Sequence, residues 1–434
     1  MLIPRPALAE VAAAWREGPG GLRVAAVEVD LDPLDLVRAG AGAFGACAYF
    51  SGPGGTAFGG LGTAWAAATS GPGRFGALDG ALRAALPEGV EAFLGFSFAA
   101  GGPASPDWEG FPGAAALLPQ IAVARRGGGA RLTLAGPPGA NPAALLAAAA
   151  TLRPPGEPEA PAVTSTRAVP PVGEWRETVA AVVAAIGAGG PVKVVLARSL
   201  RVALERFPEP FDLVALLRER FFGCYPYGWQ AGPAALVGAS PELLVARSGE
   251  RFTCRPLAGS APRGADPEAD RRLGEALLAS PKERAEHAFV VEAMISTLGS
   301  LGASLEVPAG PVLDRLAGVQ HLATPIAGRT GSRLLALVAA LHPTPAVGGV
   351  PREAALGRIA AVEGFDRGWY SGGVGWADAA GDGEVALALR GALLHHDQAT
   401  LYAGAGIVAG SDPAAEAAET DLKLGAMLGL FGAA

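Results

Sequence analysis

"LYAGAGIVAGSDPAAEAAETDLKLGAML", residues 401–428, joins a short apolar strand to a helix through Gly404, Gly406 and Gly410. Strand, glycines, helix is also how a dinucleotide-binding loop begins. That fingerprint needs G-x-G-x-x-G inside a βαβ unit, with an acidic residue about 20 positions on at the end of the second strand. Here the spacing is G-x-G-x-x-x-G, and residues 411–434 hold one helix and no second strand. The stretch therefore does not read as a pyrophosphate cradle. Two readings remain. The glycines let a strand turn sharply into a helix, or they let a ligand reach the backbone N–H groups.

The helix that follows is specified locally. Asp412 is suited to the N-cap, and Pro413 to the first helical position. Glu416, Glu419 and Lys423 fall at offsets of 0, 3 and 7, on one helical face. That face is either a solvated Glu–Lys ladder or a pair of carboxylates turned onto a hard cation such as Mg²⁺. A second acidic face lies in "SPKERAEHAFVVEAM" (280–294), where Glu283, Glu286, His287 and Val290 share one side. It too reads as surface or as site.

Around these segments, apolar alternation dominates. Of the 434 residues half are hydrophobic and 17% charged, enough to build a large core. The 63 glycines have no collagen period. The net charge of −7 and the lack of a basic stripe argue against a nucleic-acid partner. The three cysteines, Cys47, Cys224 and Cys254, have neither metal spacing nor a disulfide framework, which fits a reducing cytoplasm. No signal peptide is expected in "MLIPRPALAEVAAAWREG". The apolar run "AALLAAAATL" (143–152) is shorter than the about 20 residues a membrane span needs, so no membrane role is expected.

Residues 1–152 alternate short strands ("GACAYF", "AFLGFSF", "AAALLPQIAVAR", "ARLTLAG") with Gly/Pro turns and two alanine-rich helices. Residues 153–172, "RPPGEPEAPAVTSTRAVPPV", have no hydrophobic period and read as a proline-rich loop. From 173 to 434 helices and paired strands alternate. "KVVLARSLRVAL" (193–204) is a strand with Lys193, Val195 and Ala197 on one face. "DPEADRRLGEALLASPKERAEHAFVVEAMISTLGSLG" (266–302) holds two helices broken at Ser280-Pro281. "EVALALRGALL" (384–394) reads as one apolar strand carrying Arg390. Paired strands between helices predict an α+β fold with antiparallel sheets.

The motifs "KVVLARSL", "GASPELLVARSGERFTCRPLAGSAPRG", "KERAEHAFVVEAM", "QHLATPIAG", "LHPTPAVGGVP", "EGFDRGWYSGGVGWAD", "ALALRGALL" and "LYAGAGIV…ETDLKLGAML" run in unbroken order through 174–434. Together they resemble the chorismate-utilising enzymes, and within them the isochorismate synthase branch. The first 150 residues resemble the family only loosely. The resemblance implies one large chorismate-binding fold over 1–434, with two packed, mainly antiparallel β-sheets and helices outside. Residues 1–152 would add strands to it, and 153–172 would be a surface loop. It also implies Mg²⁺ as cofactor and chorismate as the small-molecule partner. Nothing calls for a second chain, so a monomer is expected.

The implied reaction adds water at ring C2 of chorismate, shifts the double bonds and expels the C4 hydroxyl. The base position matches Lys193 and the acid position Glu242. The metal carboxylates match Glu286 and Glu419, with Glu416 adding a weaker contact. Arg390 and Lys423 match groups that take the substrate's carboxylates. Tyr402, Gly404 and Gly259 would line the same end, with His321 near the ring. Branches of the family differ at few positions. Lysine at 193 departs from the glutamine of the ammonia-using branch, and Ala258 departs from the nucleophilic lysine of the aminodeoxychorismate branch. Ala346, with Pro325, favours isochorismate as the released product. Salicylate synthase, which goes on to eliminate pyruvate, and a subunit that binds chorismate without turning it over are the alternatives.

Overall fold

The computed structural model describes residues 1–18 and 21–432. Every strand pairing among the described residues is antiparallel. This is the pairing short Gly/Pro turns favour, since parallel strands need long crossovers. The strands form a 13-stranded, a 9-stranded and a 3-stranded sheet.

Both halves of the chain build both large sheets. In the first, Ala46–Ser51 pairs with Tyr225–Ala231; in the second, Glu91–Phe96 pairs with Gly373–Asp378. The inner faces meet over an aromatic core that includes Phe50, Phe58, Phe93, Trp229, Trp369 and Trp376. Helices cover the outer faces through three further apolar clusters. The result is helix, sheet, sheet, helix, the α+β arrangement expected from the alternation of elements.

Period-two geometry sorts the Lys193–Leu204 strand as expected. Ala197 faces the aromatic core between the sheets, whereas Val194 and Leu196 pack under the helices Val172–Gly187 and Arg352–Val362. Asp412 caps its helix, accepting a hydrogen bond from the Ala415 amide at 2.8 Å. The break at Ser280-Pro281 divides the helices Pro267–Ala279 and Pro281–Ser300.

Three sequence expectations are corrected. "AAALLPQIAVAR" is not one strand: Ala114–Leu118 lies in the 9-stranded sheet and Ile121–Arg126 in the 13-stranded sheet. Within 153–172, residues Val163–Val169 are not loop but an edge strand paired with Lys193–Leu204. Its middle residues are exposed, so it carries no apolar alternation. Nor is "EVALALRGALL" one strand. Gly383–Leu387 belongs to the 9-stranded sheet and Gly391–His395 to the 13-stranded sheet. Arg390 sits in the crossing between them, with φ of 48°. Both strands are buried on two faces, so apolar residues run straight through the corner.

The Ser240-Pro241 break makes the same kind of crossing. Ala234–Ser240 lies in the first sheet and Leu243–Ser248 in the second, with Glu242 between. The two crossings are tied together: the Leu387 amide donates to the Glu242 carbonyl at 3.1 Å, and the Ala239 amide to the Arg390 carbonyl at 3.0 Å. No described helix is long and apolar enough to cross a membrane, and all three cysteines are free and buried.

Candidate active site

Where the chain changes sheets, backbone pairing is interrupted and polar side chains enter the interior. A cavity of about 120 Å³ opens there. One wall is the strand pair Lys193–Leu204 and Gln398–Ile407, supplying Lys193, Tyr402, Gly404 and Gly406. The crossings supply Glu242 and Arg390, and the 3-stranded sheet supplies Gly259, Ser260 and His321. Helix Pro281–Ser300 contributes Glu286, helix Pro413–Leu428 contributes Glu419 and Lys423, and a loop brings Ala346. Every residue to which the resemblance gives a catalytic, metal or substrate contact lines this cavity except Glu416, which is buried in the first turn of its helix; Glu283, His287, Pro325 and Gly410 are not in its lining.

What the glycines face separates them. A Cβ at Gly406 would come within 2.6 Å of Glu286 Oε1 and 2.8 Å of Lys193 Cε. Only a residue without a side chain leaves those two groups room to meet, which they do at 2.9 Å from Nζ to Oε1. Gly259 is a bulge residue with φ of +78°, and its Cβ would stand 3.0 Å from Glu283 Oε2. Gly410 faces open space.

The electrostatics are those of a site built to hold charge out of water. Glu242 is 4% exposed, and burial pushes its pKa up to about 8 against the opposing pull of the Leu257 amide and Lys193. His321 is held neutral, its pKa lowered to about 3 by burial and by the charges of Arg390 and Lys423. Its Nδ1 lies 3.0 Å from Ser260 Oγ and 3.3 Å from the Gly259 carbonyl. A proton on Nδ1 leaves Nε2 to accept from Arg390, whose Nη2 is 3.5 Å away. Burial lowers the pKa of Arg390 itself, and it has no carboxylate partner among the described residues. A buried guanidinium without a counter-charge is costly, and a carboxylate offering two oxygens matches its planar fork.

Lys423 Nζ donates to Glu419 Oε1 at 2.6 Å and to the Gly404 carbonyl at 2.8 Å. Burial opposes the charge on Glu419, but Lys423, with Lys282 and Arg390, outweighs it and holds that pKa below normal. Glu283 and Glu416 move the other way. Burial raises both, and repulsion from neighbouring carboxylates adds to it. Among the described residues, no three acidic, His or Cys side chains gather into a cation cage. Glu286 is drawn to Lys193 and Glu419 to Lys423, so Glu286, Glu416 and Glu419 do not converge on one point.

The chain belongs to the chorismate binding enzyme family. The model of that family matches residues 15–432. The salicylate biosynthesis isochorismate synthase of Pseudomonas aeruginosa is 42% identical over 346 residues, covering 77% of this chain and 72% of that one. The isochorismate synthase EntC of Escherichia coli is 40% identical over 277 residues, 62% of this chain and 70% of its own length. Among solved structures, that of MenF, the menaquinone-specific isochorismate synthase from Escherichia coli, superposes with a TM-score of 0.85 at 26% identity, covering 98% of this chain and 99% of that one.

Some of the cavity's residues were not singled out from the sequence. Arg367, Tyr370 and Ser371 lie within the quoted motif "EGFDRGWYSGGVGWAD" and line the wall. The Tyr370 ring stacks on Tyr402, with centroids 5.0 Å apart and planes at 15°. A Cβ at Gly404 would sit 3.3 Å from the Tyr370 hydroxyl. A charged residue among glycines and aromatics was the available signal for Arg367. Burial and contacts, which a linear sequence does not carry, were needed to place it.

Proposed function

We propose that the chain is an isochorismate synthase, an isomerase that converts chorismate to isochorismate reversibly. The observation that carries this reading is one cavity walled by a buried lysine, a buried carboxylic acid that keeps its proton at neutral pH, and a buried arginine without a carboxylate partner. Lys193 takes a proton from the water that adds at C2. Glu242, protonated below about pH 8, gives its proton to the C4 hydroxyl as it leaves, the role a raised carboxyl pKa serves. Acid and base catalysis each contribute about 10²–10⁴-fold. Arg390 takes a substrate carboxylate through its planar fork, with His321 Nε2 orienting it. Lys423 adds charge at the same end, while Tyr402, Gly404 and Gly259 shape the wall. All of these groups come from one chain, so the reading calls for no partner subunit.

The donor chemistry fits Mg²⁺. Glu286 and Glu419, on two helices, line one cavity, and their charges add to what raises Glu283 and Glu416, a repulsion that a hard cation would relieve. Glu286 and Glu419 would hold the ion, with Glu416 in a weaker contact. When bound, Mg²⁺ supplies charge neutralisation and Lewis-acid polarisation of a substrate carboxylate.

Ala346 lines the cavity with a methyl group, and with Pro325 it supports isochorismate as the released product. The deciding experiment is incubation with chorismate and Mg²⁺ followed by chromatography of the products. Isochorismate alone is expected. Salicylate with an equivalent of pyruvate would replace this reading by salicylate synthase. Saturable chorismate binding without turnover would make the chain a non-catalytic binder.

A further inference from the structure

A second cavity, of about 770 Å³, lies on the other side of Arg367 from the first. Arg367 lines both. Phe75, Phe98, Leu356, Ile359 and Phe365 give it apolar sides. Arg74 stands in its lining, 3% exposed. Its guanidinium donates to Ser97 Oγ at 3.0 Å and to the Ser97 carbonyl at 2.9 Å, and it bonds the Ala99 carbonyl, all neutral acceptors. It meets no carboxylate among the described residues, and burial lowers its pKa to about 10. A charge taken out of water without a counter-charge is expensive.

A second, independent feature points the same way. Arg74 is the first residue of the helix Arg74–Ala85, whose N-terminus has neither a side-chain cap nor an acidic residue in its first turn. Pro72, Arg74 and Phe75 bring that end to the cavity. Uncapped N–H groups and the positive end of the helix dipole favour an anion. The acidic groups nearby are already engaged. Glu363 is bonded by Arg367 and the Ala197 amide, and Asp366 by the amides of Ala104, Ser105 and Gly368. His342, also in the lining, is held neutral by burial. Of the charged groups in the lining, Arg367 and Glu363 are thus paired with each other, whereas Arg74 and Asp366 are bonded only to neutral groups.

We propose that this second cavity binds a small aromatic carboxylate, its carboxylate on Arg74 and the N-terminus of helix Arg74–Ala85, its ring between Phe75, Phe98 and Ile359. The site is separate from the catalytic cavity and goes beyond the isochorismate reading. The test is diffraction from crystals of the full chain grown with 4-bromobenzoate, locating bromine by its anomalous signal. A peak among Phe75, Phe98 and Ile359 is expected. A peak confined to the cavity beside Arg390, or none, overturns the proposal. In solution, calorimetric titration with 4-bromobenzoate should weaken about tenfold or more in Arg74→Gln, tenfold being what about 1.4 kcal/mol of binding is worth. Ile359→Trp, which fills the chamber and leaves Arg74 in place, should abolish the signal with an unchanged circular dichroism spectrum, and it carries the test if Arg74→Gln fails to fold. Wild-type titration in either folded variant overturns the site. No measurement here uses turnover, so its failure leaves the isochorismate reading standing.

Discussion

Two acid–base pairs flank the catalytic cavity, Arg367–Glu363 buried at both ends and Lys193–Glu286 buried only at the lysine, and they are built differently. Arg367 and Glu363 saturate each other. Arg367 Nε donates to Glu363 Oε2 at 2.7 Å and Nη2 to Glu363 Oε1, and its other N–H groups reach the Val347 and Val195 carbonyls at 2.9 and 2.8 Å and Ser371 Oγ at 3.3 Å. Glu363 Oε1 also takes the Ala197 amide at 2.7 Å. The pair staples strand, loop and helix together. Lys193 and Glu286, by contrast, share a single contact at 2.9 Å, and Lys193 has no other polar partner among the described residues. A pair with all its hydrogen bonds made internally has none left for a ligand. A pair with one contact keeps donors and lone pairs free for substrate, water or a cation.

If the comparison is right, Lys193 is the position where chemistry can be removed without removing the fold. Lys193→Ala should cut turnover by about 10²–10⁴-fold, the range of a lost general base, with its melting temperature near that of the wild type. Normal isochorismate formation in this variant would place the base elsewhere.

The saturated pair should respond in the opposite sense. Glu363→Gln leaves a buried guanidinium uncompensated, a change worth about 3–5 kcal/mol. Urea denaturation should reveal it as a lower midpoint. A midpoint equal to that of Lys193→Ala would mean the two pairs do not differ in the way described.

A third measurement sharpens the site side through pH. Glu242 keeps its proton in the folded state up to about pH 8 and has an ordinary pKa of 4.5 when unfolded. Above pH 8 the acid is lost, so kcat/KM should fall as pH rises through that value. Between 4.5 and 8 the folded state holds a proton that the unfolded state has released. Stability therefore declines with rising pH across that window. Glu242→Gln should lose activity and flatten both trends. A wild-type profile level through pH 9 would sink the assignment of Glu242 as the acid.

The smallest effects test the glycines. Gly406→Ala drives a methyl into the Lys193–Glu286 contact, whereas Gly410→Ala meets nothing. Turnover should drop about tenfold in the first, equivalent to roughly 1.4 kcal/mol in the transition state. In the second, stability should stay within about 0.5 kcal/mol of wild type. Equal activity in the two variants would separate Gly406 from the site.

The α+β class was legible in alternating strands between amphipathic helices, and the cap at Asp412 in a single dipeptide. The cavity residues were legible only through motif order, because lysine, glutamate and arginine scattered over more than 200 positions have no local signature of convergence. Residues 163–169 were misread because an exposed edge strand has no buried face to impose alternation. Arg390 was misplaced because hydropathy registers burial but not which of two sheets does the burying. Arg367 and Tyr370 carried little signal because their partners lie at distant positions such as Val195 and Tyr402.

Local chemistry was enough for the caps, the breaks at proline, the strand periods and the rejection of a dinucleotide loop, since each depends on neighbours a few bonds away. The pairing of Lys193 with Glu286, the raised pKa of Glu242 and the lone charges of Arg390 and Arg74 have a different origin. They arise where chain segments remote in sequence exclude water from the same small volume. Desolvation and Coulomb energies depend on distance through space, which is settled only when both sheets close over their crossings.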